Sequence, residues 1–167
     1  ICIVQALNLV PKEYDVECVM VGKGPELEKV KQLAKTCPHK ITFLKHMPRQ
    51  EVLNQLKQGD IFITPSLKDA CNLTLLEAMT VGLPIICLNW SGMAISTDDS
   101  CAIRLPVTNP EQMPKDMAKA IIKLIENPEL RERLGQAARE RIRNIFNWDS
   151  KGDFMEKVFE KLDSQCQ

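Results

Sequence analysis

Short apolar runs of strand length alternate along this chain with longer segments of helical period, and the connections between them are brief. That alternation restricts the fold to α/β, with an open, mainly parallel sheet and helices on both of its faces. Strands are expected at 16–21, 41–44, 60–63, 84–88 and 102–105, and helices at 26–36, 50–58, 73–81, 113–126, 128–145 and 153–162. Gly59 and Gly82 stand where the second and third helices should stop. Asn127-Pro128 reads as a cap followed by proline at the first helical position. At 167 residues there is enough chain for one domain with a full hydrophobic core.

The stretch from Pro65 to Pro84 joins the third strand to a helix that is apolar on nearly every side, and it carries two carboxylates eight residues apart. Asp69 is expected in the loop and Glu77 about two turns into the helix. In an open α/β sheet such a junction faces the ligand crevice. Leu75, Leu76, Ala78 and Met79 surround Glu77, which argues against a solvated face and marks this acid as a site candidate. Asp69 has two readings, a ligand contact or an acid that stabilises the turn and helix entry. The N–H groups of Leu73 and Thr74, in the first helical turn, point outward at the positive end of the helix dipole, where an anion is favoured.

Lys plus Arg equals Asp plus Glu at 22 each, so the overall charge gives no support for a nucleic-acid partner. The late cluster Arg131, Arg133, Arg139, Arg141 and Arg143 is interleaved with Glu129, Glu132 and Glu140, a mixture expected of a solvated helical face. Seven cysteines, an odd number, include Cys18, Cys71 and Cys87 in or beside apolar segments, which fits a reducing, cytoplasmic compartment better than a disulfide framework. No CxxC pair occurs, and His39 and His46 lack zinc-site spacing, so no metal site is expected and both histidines read as loop or surface residues. No apolar run reaches the roughly 18–20 residues needed to span a bilayer, and no signal peptide is visible.

Taken in order, several short motifs resemble one family. Val21-Gly22-Lys23-Gly24-Pro25 resembles a G-x-G-P turn after a strand. Ile41-Thr42-Phe43-Leu44 resembles a V-x-F-L strand, and Asp60 to Ser66 a D-x-F-x-x-P-S run. Asp69 and Glu77 fall at a pair of acids, followed by Ala78-Met79 and Gly82-Leu83-Pro84. Ser91-Gly92-Met93-Ala94 with Thr97-Asp98 is similar to a G-G-P-A segment before T-D, and Arg139 through Trp148 to a terminal helix and aromatic turn. Together these resemble the C-terminal, donor-nucleotide domain of group 1 retaining glycosyltransferases, one Rossmann-like half of a GT-B fold.

The resemblance implies transfer of a glycosyl group from a nucleotide-diphosphate sugar, UDP- or GDP-linked, to a glycan, lipid-linked sugar or similar acceptor, with retention and without a metal or separate cofactor. It implies that Glu77 clamps the ribose diol, a task suited to a carboxylate with several acceptor sites. Asp69 would contact the donor hexose, and Gly22, Gly24, Asn72, Leu73 and Thr74 would line the nucleotide and diphosphate. It also implies that the chain starts inside the first helix of this domain, with the first strand and an N-terminal acceptor domain lying upstream. The piece alone would then bind donor weakly and not catalyse transfer, and membrane contact would be peripheral, at the inner face, through the whole enzyme. Cys71 and Asn72 stand where relatives usually carry glycine, as do Lys45 and Ser91, and Met93 replaces proline. These departures keep a second reading open: a catalytically degenerate nucleotide-binding or regulatory α/β module.

Overall fold

A computed structural model describes residues 1–165. It opens with helix α1 (Cys2–Leu7), followed by β1 (Glu17–Val21), α2 (Leu27–Ala34), β2 (Lys40–Leu44), α3 (Arg49–Gln58) and β3 (Phe62–Thr64). There follow α4 (Leu73–Val81), β4 (Ile85–Leu88), α5 (Ser91–Ser96), β5 (Ala102–Leu105), α6 (Met113–Glu126), α7 (Pro128–Ile145) and α8 (Trp148–Gln165). All five expected strands form. Helix α5 is an addition to the expected elements, because six residues beginning Ser-Gly give almost no helical period. Helix α8 begins five residues before the expected start at 153.

Every strand pairing is parallel, as the alternation requires, but the sheet is divided. One ladder pairs β1 with β2, and the other has the order β3-β4-β5. No ladder joins β1 to β3 among the described residues, so each presents one unpaired edge. Both ladders nevertheless rest on a single core. Cys18 of β1 and Ile41 of β2 pack with Ile61 and Ile63 against Ala6 and Leu7 of α1 and Ile121 and Leu124 of α6.

Strand β4 is buried on both faces, and four consecutive apolar residues, Ile-Ile-Cys-Leu, are what such a strand needs. Ile86 and Leu88 face the α1–α6 core, while Ile85 and Cys87 face a second core with Leu75, Ala78 and Met79 of α4, Met93 of α5 and Ala138 of α7. Fully burying a side chain such as Leu75 or Met79 contributes about 1.5–3 kcal/mol relative to leaving it exposed. In the other ladder β1 alternates exposed and half-buried residues, and neither α2 nor α3 contributes a fully buried one.

Three arginines of α7 correct the solvated-face expectation, while Arg133 and Arg143 are exposed as expected. Arg131 donates to the Leu124 and Ile125 carbonyls at the end of α6 (2.6 and 3.0 Å). Arg139 donates to Val81 O at the end of α4 (2.6 Å), and Arg141 donates to Ile95 O and Ser96 O at the end of α5 (3.1 and 2.8 Å). Carbonyls at three helix C-termini therefore accept from one helix, with cations at the negative end of each dipole. His39 is also not at the surface: it is buried in the loop before β2, its Nε2 3.0 Å from the Val10 carbonyl.

Arg141 also pairs with Asp98, just beyond α5. The Ser100 hydroxyl first, then the Ser100 N–H (2.9 Å) and the charges of Arg141 and Arg104, hold the Asp98 carboxyl below the usual aspartate range, partly offset by desolvation. A lowered carboxyl pKa contributes stability that is complete above the unfolded-state pKa and is lost as pH falls toward the folded-state value. Thermal melts from neutral pH to below about pH 4 should show an acid-dependent decline that is shallower in Asp98→Asn, whose neutral-pH stability is lower. Parallel acid limbs for the two proteins would exclude this role.

Six of the seven cysteines lie among the described residues and all six have free thiols; Cys166 lies outside them. Burial pushes the Cys18 thiol up to about 11.

Candidate functional site

The parallel strands aim their C-terminal ends at one edge, and the sequence-predicted residues lie along it. Gly22 follows β1 with φ +141°, a backbone conformation that favours glycine. Its N–H donates to Leu44 O at the end of β2 (3.0 Å), and neither Gly22 nor Gly24 has an atom within 4 Å of where a Cβ would stand. This leaves an open lip with free space over both glycines. No hydrogen bond links it to α4 among the described residues, so the structure places these glycines at the same edge without joining them to the acids.

Asn72 organises the junction after β3. Its Oδ1 accepts from Leu75 N–H (3.0 Å), so it caps α4, an arrangement worth about 1 kcal/mol. Its Nδ2 donates both to Thr64 Oγ1 (3.2 Å) and to Asp69 Oδ2 (3.1 Å). The loop acid is thus tied to the strand end and to the helix start through one side chain. Neither Cys71 nor Asn72 adopts positive φ, so neither position demands glycine here. The capping bond claims the Leu75 N–H and leaves those of Leu73 and Thr74 without an acceptor among the described residues.

The main chain of the loop is held from α5. Ser91 Oγ and the Gly92 N–H both donate to Asp69 O (2.9 and 3.0 Å). Ser91 has φ +52°, the one non-glycine residue with positive φ among those described. Its bond to Asp69 offsets a conformational cost of roughly 1–2 kcal/mol. Gly92 is required by contact: a Cβ there would stand 2.0 Å from Ala70 O and 2.7 Å from Asp69 O.

Glu77 lies four residues beyond Leu73, the first residue of α4, and so just over one turn into the helix and not two. Its side chain is 16 % exposed and its Oε1 accepts from Arg49 Nε at 2.5 Å. Arg49 opens α3, directly after the β2–α3 loop, so this ion pair spans the ends of the two ladders. Nothing in the sequence singles out Arg49, since an arginine in the first turn of a polar helix reads as a surface residue. Among the described residues no group of His, Cys, Asp and Glu could hold a metal ion, and no helix is long and apolar enough to cross a membrane.

The model of the family described as glycosyl transferases group 1 matches residues 2–141. The chain belongs to the group 1 glycosyltransferases. It is 31% identical over 165 residues to an uncharacterized glycosyltransferase of Methanocaldococcus jannaschii, covering 96% of this chain and 41% of that protein. It is 24% identical to the alpha-D-kanosaminyltransferase of Streptomyces kanamyceticus, over 94% of this chain and 40% of that one. The chain therefore spans less than half the length of these group 1 relatives.

Solved structures agree on the fold, that of GT-B glycosyltransferase domains with parallel sheets flanked by helices. The catalytic domain of cholesterol-alpha-glucosyltransferase from Helicobacter pylori superposes with a TM-score of 0.73 at 23% identity, covering 86% of this chain and 87% of that one. TarM of S. aureus, in a complex that includes UDP, gives 0.79 at 18% over 95% of this chain and 32% of that one. Anabaena HepE, in complex with UDP-glucose, gives 0.75 at 16% over 98% and 44%.

Proposed function

We propose that this chain is the donor-binding half of a retaining glycosyltransferase that takes its sugar from a UDP- or GDP-sugar. The observation that carries this reading is the start of α4, where two unclaimed N–H groups are flanked by an oriented carboxylate on either side. The N–H groups of Leu73 and Thr74 hold the diphosphate at the positive end of the helix dipole. Glu77 accepts from the ribose hydroxyls, and Asp69, fixed through Oδ2 by Asn72, offers Oδ1 to a hydroxyl of the hexose. The open lip at Gly22 and Gly24 admits the nucleotide close to the main chain. Two of the similar folds were solved with UDP or UDP-glucose, which supports a nucleotide sugar as donor.

The acceptor domain, and the cations that neutralise the leaving diphosphate, belong in this reading to polypeptide outside the chain. The unpaired edges of β1 and β3 support one further parallel strand between them, reached from α1 by a right-handed crossover. Calorimetric titration of UDP, GDP and ADP, with Glu77→Ala as the control, tests the proposal. One nucleotide should bind, and Glu77→Ala should weaken it by roughly 10- to 100-fold, the range for lost hydrogen bonds to a charged group. If the full-length enzyme binds none of the three, the degenerate-module reading is favoured instead.

A further inference from the structure

We propose that Arg49 is the positioning residue of the ribose clamp: it holds Glu77 in its ligand-ready orientation and thereby sets the preference for a ribose diol. The inference rests on the donor-site reading above and assigns a role to a residue outside the acid pair.

Glu77 has no cationic neighbour on its own helix. The residues three and four positions away on α4 are Leu73, Thr74, Thr80 and Val81, and the Thr80 hydroxyl is spent on Leu76 O (2.8 Å). A glutamate on such a helix is free to rotate unless another element holds it. Arg49 does so from α3, through one charge-assisted bond from Nε to Oε1 at 2.5 Å. A carboxylate offers about four acceptor sites. Pairing through a single Oε1 site leaves Oε2 whole, enough for two vicinal hydroxyls. The pair therefore orients the carboxylate without filling it.

The two partners differ in burial. The Glu77 side chain is 16 % exposed and that of Arg49 75 % exposed, so the arginine sits at the outer, solvent side of the pair. Fixing Glu77 before ligand arrives removes a rotamer cost that binding would otherwise carry. Because the benefit passes through the diol, it is felt most by a ribonucleotide, which offers both hydroxyls, and less by its 2′-deoxy analogue, which keeps only the 3′-OH.

The test is calorimetry or ligand-observed NMR on the full-length enzyme with UDP, GDP and the 2′-deoxy analogue of each, comparing wild type, Arg49→Ala, Arg49→Lys and Glu77→Gln. Wild type is expected to prefer the ribonucleotide. Arg49→Ala should reduce that preference by roughly 2- to 10-fold with the deoxy analogue's affinity falling less than the ribonucleotide's, and Arg49→Lys should restore part of it. An unchanged ribo-to-deoxy ratio in Arg49→Ala, or tighter ribonucleotide binding, would overturn the assignment of Arg49 while leaving the donor site standing. Failure of wild type to bind either nucleotide, or Glu77→Gln binding as wild type does, would overturn the clamp itself and Arg49's part with it.

Discussion

Replacing Gly135 by alanine is expected to destabilise the chain by about 1–3 kcal/mol, the usual cost of overpacking. The sign is what makes the prediction informative. Gly135 lies inside α7, where exchanging glycine for alanine ordinarily gains about 0.5–1 kcal/mol. Here a Cβ would stand 2.1 Å from Gly82 O, a backbone atom at the end of α4 that no side-chain rotation can move. Gly82 is itself fixed, with φ +83° and its N–H bonded to Met79 O (3.0 Å). The two helices must therefore separate, which disturbs the Arg139 bond to Val81 O and the packing of Ala138 on the α4 core. Urea denaturation would measure the change, and a gain in stability would show that α4 and α7 do not approach so closely.

Gly92→Ala is expected to act on the site more than on the fold. The added methyl would collide with the carbonyls of Ala70 and Asp69, and the loop has to leave α5 to make room. Asp69 then loses both bonds to its carbonyl, and its carboxylate moves relative to α4. A displacement of about 1 Å in a positioning group can lower turnover by roughly 100-fold. Glycosyl transfer by the full enzyme carrying this substitution, measured beside its melting temperature, should show a loss of that order with a change of only a few degrees. Near-normal transfer would mean that the loop's grip on α5 does not position Asp69.

Much of this molecule is legible in its sequence because its elements obey simple periods. The apolar run at β4, the glycine stop at Gly82 and the placing of Asp69 in the loop all follow from local chemistry. What cannot be read depends on partners distant in the chain. Arg131, Arg139 and Arg141 look like a solvated stripe when only α7 is considered; their acceptors belong to three other helices, with up to 58 positions between donor and acceptor. Asn72 illustrates a different limit. Composition allows a cap, but not the two further bonds to Thr64 and Asp69 that make it the hub of the loop. Arg49 gives no signal at all, since its significance lies wholly in its contact with Glu77. The division of the sheet is equally hidden, because strand periods announce strands and say nothing about which edges meet.

The uneven burial of the two ladders has a consequence for how a ligand is felt. The ladder of β4 and its helices is locked by fully buried side chains on both faces, whereas β1, α2 and α3 are held by half-buried ones. Local opening takes less free energy where fewer apolar contacts must be broken, so the glycine lip belongs to the part of the molecule that breathes and α4, which carries Glu77, to the part that does not. A nucleotide lying across both would act as a cross-link between them. Some of its binding energy would be spent in quieting the looser side, and amide protection would rise most in β1, α2 and α3, away from α4.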